Sequence, residues 1–172
     1  MGPLPRSMSL PLPSRCQAFL LVGVSGFVLS ALPARAASWD AIDALRGRLT
    51  SAGVRVIQQD CSRRGLQGLY HPRSDTLVVC RSHQTPAQVW DTLAHEATHR
   101  MQQCAGGLIT DQRHHQAMAA ALVRSHPAEI RSMRAYPQGQ QLAELEARYT
   151  AKLPPKQVLE LFDRYCGSQV RT

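Results

Sequence analysis

The 172-residue chain carries 20 Lys and Arg against 12 Asp and Glu, a formal charge of +8 at neutral pH. The arginines are scattered, Arg63-Arg64 being the densest pair, and no basic run interleaves with aromatic residues, which argues against a specific nucleic-acid groove. A moderately basic surface of this kind favours anionic polymers only weakly.

At the start, Arg6 and Arg15 form a basic region ahead of an uncharged, mostly apolar run from Ala18 to Leu32. Ala34-Arg35-Ala36 then offers an A-x-A cleavage site, so residues 1–36 read as a secretory signal. The apolar run is short for a membrane span, which needs about 20 residues, so no stable anchor is expected. Cys16 precedes the run and leaves with it. Residues 37–172 would then form a single, monomeric domain outside the cytoplasm, secreted or periplasmic. Its charge falls to +5, because the signal holds Arg6, Arg15 and Arg35 and no acids.

Trp39, Ile42, Leu45 and Leu49 recur at helical spacing behind Ser38, a suitable N-cap. After Gly53, the segments Val54 to Ile57, Leu66 to Tyr70 and Thr76 to Cys80 read as short strands. The last two flank a turn-rich His71-Pro72-Arg73-Ser74-Asp75. A small antiparallel sheet of three strands is expected. Thr85-Pro86-Ala87-Gln88 opens a helix with cap, first-turn proline and capping-box glutamine in place, running to about Gln103 before Gly106-Gly107. Trp90, Leu93, Ala94, Ala97, Met101 and Cys104 share one face of it. Further helices are predicted from Asp111 to Arg124, Glu129 to Tyr136, Gln140 to Leu153 and Lys156 to Tyr165, with prolines between most of them. The fold class is therefore α+β: a small antiparallel sheet, then a helical half.

Four cysteines remain beyond the signal, an even number that in an exported domain reads as two disulfides. Three pairings are open. The preferred one joins Cys61 to Cys80, across a β-hairpin region, and Cys104 to Cys166, tying the long helix to the last one. Chain-entropy arithmetic values such loops at about 3 and about 4 kcal/mol, as upper estimates.

On the face opposite the apolar one, the long helix carries His95-Glu96-Ala97-Thr98-His99, an H-E-x-x-H motif. Residues four apart share a helical face, so the two imidazoles can point at one ion. Glu96 leaves the helix about a hundred degrees away and can take a proton from water at the metal's open position. A catalytic Zn²⁺ wants a third protein ligand. In the Gln140–Leu153 helix, Glu146 falls within the apolar stripe of Leu142, Leu145, Tyr149 and Leu153, whereas Glu144 falls away from it. A carboxylate facing a core needs a positive partner, and zinc would supply one. Glu146 is the preferred ligand; Glu144, His114 and His115 remain open. His115, Tyr136 or Tyr149 could donate to an oxyanion.

Two histidines on one helix and a glutamate on a later one resemble the ligand set of the gluzincins, the thermolysin-like clan of zinc metallopeptidases, in its minimal single-domain form. The likeness rests on His95 to His99 and on Glu144-Leu145-Glu146-Ala147, similar to the E-x-E-A segment of several small gluzincins. Many gluzincins place Asp or Asn four residues after the ligand glutamate to orient a histidine. Here those places hold Arg148, after Glu144, and Thr150, after Glu146, which favours Glu146 because a threonine hydroxyl can accept the imidazole N–H. The resemblance implies a zincin-like fold with Zn²⁺ held by His95, His99 and Glu146. It also implies Glu96 as general base, a peptide or protein substrate, and an edge strand, expected at Thr76 to Cys80, that holds an extended substrate. The other reading is a disulfide-stapled, non-catalytic binding protein with a structural zinc site.

Overall fold

The computed structural model describes residues 37–82 and 85–167, so the expected signal segment lies outside the described residues. Ser38 caps the first helix, α1 (Trp39–Ser51), by accepting from the Ala41 N–H at 3.3 Å. Ile42, Leu45 and Leu49 are fully buried along it, while Trp39, at the solvent end of the predicted stripe, is 54% exposed. Gly53, at φ +86°, turns the chain into β1 (Arg55–Gln59). A hairpin follows, β2 (Gly68–His71) and β3 (Thr76–Cys80), joined by a 3-10 turn over Pro72–Ser74.

The sheet order is β1-β3-β2, with β1 parallel to β3 and β2 antiparallel to it. The expected sheet of three strands is present, but it is mixed rather than antiparallel. Cys61, just beyond β1, is disulfide-bonded to Cys80 at the end of β3, and Gln59 is paired with Cys80. The bridge therefore staples the C-terminal ends of two parallel strands, not a hairpin. β3 is central and hydrogen-bonded on both sides, so its backbone has no edge to offer, and the hairpin's edge strand is β2.

The capping box forms as its residues imply. The Gln88 N–H donates to Thr85 Oγ1, and the Gln88 side chain accepts from the Thr85 N–H at 3.2 Å. Thus begins α2 (Pro86–Ala105), which ends on Gly106 in the left-handed region. Leu93, Ala94, Ala97 and Met101 on α2 are fully buried, each large one worth about 2 kcal/mol of apolar transfer. Four helices complete the fold: α3 (Gln112–Ser125), α4 (Pro127–Met133), α5 (Gln141–Ala151) and α6 (Pro155–Cys166).

Two clusters of buried side chains hold these elements. The larger joins α1, the sheet, α2 and α6 through residues such as Leu45, Leu77, Trp90 and Phe162. The smaller, Met118, Leu122 and Leu145, joins α3 to α5, with Ile130 and Met133 of α4 packed against it. α2 runs between them, touching α1, the sheet, α5 and α6. The second disulfide, Cys104–Cys166, locks the end of α2 to the end of α6, as expected. The architecture is α+β, a small sheet and a helical half around the central α2. Among the described residues no helix is long and apolar enough to cross a membrane.

Candidate metal centre

His95 and His99 project from one face of α2, a turn apart, with Nε2 atoms 3.2 Å from each other. α5 packs alongside and brings Glu144 to them: Oε2 lies 3.6 Å from His95 Nε2, and Oε1 lies 3.3 Å from His99 Nε2. A tetrahedral ion whose ligands sit about 2.0–2.1 Å away separates them by about 3.3 Å from one another. The imidazole pair matches that spacing, and the two Glu144 oxygens approach it, one toward each histidine, with one ligand atom from each residue lying within 4.8 Å of the others. Glu144 Oε2 is buried and has no hydrogen-bond partner among the described residues, an orphan that a cation would satisfy. His95, His99 and Glu144 can together hold a metal ion.

His95 and Glu144 carry the charges a ligand set needs. Burial, reinforced by neighbouring His99, pushes the His95 imidazole down to about 3, so it is neutral and able to donate a lone pair. Burial also works against ionisation of Glu144, yet the hydrogen bond and charge of His99, together with His95 and Arg148, hold its carboxyl below the ordinary value. His99 is raised, because Glu144, Glu96 and Gln102 outweigh its burial. Glu96, itself buried, is pushed up to about 7, mainly by desolvation, although His99 and the Tyr70 backbone N–H favour its charged form.

Glu146, expected as the third ligand, points elsewhere. It is fully buried, and both its oxygens are occupied. Oε1 accepts from the Thr110 N–H at 2.9 Å and the Thr110 hydroxyl at 2.5 Å, with His115 Nε2 at 3.1 Å. Oε2 accepts from the Ile109 N–H and the Gln102 amide, each at 3.0 Å. This carboxylate does face inward and does find partners, in the loop before α3, in Gln102 of α2 and in His115 of α3 rather than in an ion. Burial raises its carboxyl, but the Thr110, Ile109, Gln102 and His115 contacts outweigh that and hold it low. Arg148, the residue that weighed against Glu144, lies beside that glutamate, with Nε 3.7 Å from Glu144 Oε2. It pairs also with Glu129 and donates to Ser132 Oγ at 2.9 Å.

The chain matches no family model, no curated protein and no solved structure.

A cleft of about 370 Å³ opens beside His95 and Glu96. Gly65 to Gly68, leading into β2, form one wall; Arg148 and Ala151 of α5, with Lys152 just after it, form another; Glu129, Ser132 and Tyr136 close it. Gly68 allows this closeness. A Cβ there would collide with the Thr92 methyl and lie 3.1 Å from Glu96 Cγ and 3.0 Å from the Val78 carbonyl. Of the three oxyanion candidates, Tyr136 lines the cleft, Tyr149 packs on the smaller core cluster, and His115 is buried against Glu146. His114 is exposed on α3 and does not join the metal-compatible group.

Sequence reasoning passed over Gln102, Thr110 and Gly68. Gln102 had a legible signal: it follows His99 by three residues and so shares its face. Thr110 had none, since a loop residue's reach to α5 is set by packing alone.

Proposed function

We propose that the protein is an exported, zinc-dependent hydrolase of peptide or related amide bonds. The observation that carries this reading is the convergence of His95, His99 and Glu144 beside the buried Glu96 carboxyl, at a cleft bounded by an edge strand. The donor set of two imidazoles and one carboxylate suits Zn²⁺ and leaves one position free. Zinc bound there would supply a Lewis acid toward a carbonyl oxygen and make water acidic enough to ionise near neutral pH.

The chain's own residues account for the remaining steps. Glu96, about 7 in the metal-free chain and drawn lower by a cation beside it, would be ionised to take the proton of the attacking water and deliver it to the departing amine, so it ends each cycle as it began. Tyr136, in the cleft wall, is the group that can donate to oxygen charge developing on the substrate. The edge of β2 offers backbone groups to an extended peptide, with Gly68 keeping that strand close to Glu96. Both disulfides are compatible with life outside the cytoplasm, in keeping with a signal at residues 1–36.

The test is to purify the chain beginning at Ala37, measure zinc by mass spectrometry, and assay a mixed peptide library. About one zinc per chain is expected, with hydrolysis abolished by chelator. Glu96→Gln should keep the metal and lose roughly 10²–10⁴-fold in rate. A parent that holds zinc but cleaves nothing would favour the metal-stabilised binding protein.

A further inference from the structure

Gln102 lies buried between the metal-compatible group and Glu146. Its Nε2 is 2.9 Å from the Ala143 carbonyl oxygen and 3.0 Å from Glu146 Oε2. Its Oε1 is 2.9 Å from His99 Nδ1. Neither a backbone carbonyl nor a carboxylate can donate, so the amide has one workable orientation. Turned the other way, its oxygen would face two acceptors at once, with their lone pairs opposed.

That orientation has a chemical consequence for His99. The Gln102 oxygen can only accept, so His99 Nδ1 must carry the proton. A neutral imidazole has one N–H, and placing it on Nδ1 leaves the lone pair on Nε2. Nε2 is the atom directed at His95 and Glu144; in the metal-free chain the Glu144 carboxylate, 3.3 Å away, competes for the same proton, and a cation bound between them removes that competition. The Glu146 carboxylate is fixed in turn by the Ile109 and Thr110 N–H groups, which belong to the loop before α3. Tyr165 anchors that loop, its hydroxyl donating to the Ile109 carbonyl at 2.6 Å.

We infer that Gln102, held in register by Glu146, is a positioning residue that selects the Nδ1–H tautomer of His99 and so readies its Nε2 as a ligand. The inference rests on the ligand assignment of the preceding subsection. It gives the inward-facing Glu146 a role at one remove from the metal. It also supplies the orienting contact that Arg148, four residues after Glu144, does not make to a histidine. Supporting contacts of this kind typically change metal affinity by roughly 10–100-fold.

The experiment uses ring-¹⁵N NMR at alkaline pH of the metal-free chain carrying Glu144→Ala, which takes away the competing carboxylate, with His99 assigned by its loss on adding His99→Ala, alongside zinc titration of chains that keep Glu144 against a chromophoric chelator. In the Glu144→Ala background His99 should be protonated on Nδ1. Gln102→Met, similar in length but without the amide, should let His99 populate the Nε2–H form and weaken zinc by roughly 10–100-fold. Gln102→Glu separates positioning from mere support. It restores an acceptor for His99 but sets a second carboxylate against Glu146, so it should melt lower than Gln102→Met while binding zinc more tightly. His99 protonated on Nε2 in the Glu144→Ala background overturns the inference, as does a folded Gln102→Met with unchanged tautomer and affinity. If Gln102→Met does not fold, the Glu144→Ala tautomer and Gln102→Glu decide. If the parent binds no zinc at all, the metal reading falls while the tautomer measurement still judges Gln102.

Discussion

Glu144 and Glu146 lie two residues apart on one helix, both buried, yet their removal should have opposite signatures. Glu146→Ala strips the acceptor from Ile109 N–H, Gln102 Nε2 and His115 Nε2, all belonging to buried residues, and from half-buried Thr110. An unsatisfied buried donor costs about 1–3 kcal/mol. His115 Nε2 keeps Thr110 Oγ1 at 3.1 Å and Gln102 Nε2 keeps the Ala143 carbonyl with one of its two hydrogens, so two buried N–H groups lose their acceptor, about 2–3 kcal/mol with water able to enter the space vacated. For a domain of this size the melting temperature should fall by about 10 °C. Glu144→Ala removes a carboxylate whose Oε2 has no hydrogen-bond partner among the described residues, and Arg148 keeps Glu129 and Ser132 Oγ, so the metal-free protein should lose less stability than Glu146→Ala, chiefly the His99 contact at 3.3 Å. It should nevertheless lose zinc retention, because the cation keeps only two imidazoles. The assay pairs thermal melting in excess chelator with chelator-competition zinc titration on both variants. The reasoning is refuted if Glu144→Ala keeps parental zinc affinity, or if Glu146→Ala melts with the parent and loses only metal.

Gly68→Ala should push β2 away from α2 at Glu96, costing about 1–3 kcal/mol by overpacking and lowering turnover; parental melting and rate would show that the strand does not need this approach. Glu146 should also shape acid stability. Its folded carboxyl lies below the ordinary value of 4.5, so its contribution is present above that pH and is lost as pH falls through the lower folded value. Denaturant melts of metal-free parent and Glu146→Gln should accordingly converge as pH drops below about 4.5; a constant gap down to strongly acidic pH would contradict this. Replacing Cys104 and Cys166 together with serine should cost up to about 4 kcal/mol, for a loop with a sequence separation of 62 residues, and a melt unchanged from the parent would deny that this bridge constrains the unfolded chain.

Much of the architecture was legible from local rules. Helix starts at Ser38 and Thr85 follow from side-chain oxygens that satisfy first-turn N–H groups, and the stop at Gly106 from a left-handed cap. The pairing of His95 with His99 follows from helical period, which no packing can alter. What the sequence left open depends on neighbours distant along the chain. Strand order is one case: adjacency suggested antiparallel pairing throughout, while the Cys61–Cys80 bridge accompanies a parallel β1 and β3. The third ligand is another. A helical wheel reports directions about one axis and says nothing of how many sides are covered. α5 is buried at Glu144, Leu145, Glu146 and Ala147 in succession, whereas Leu142, taken as part of its apolar stripe, is 43% exposed. With α2 on one side and the loop before α3 on the other, both glutamates face inward toward different partners. Glu144 meets imidazoles on α2, and Glu146 meets backbone N–H groups that no periodicity announces, because loop donors acquire their direction only when the chain has packed.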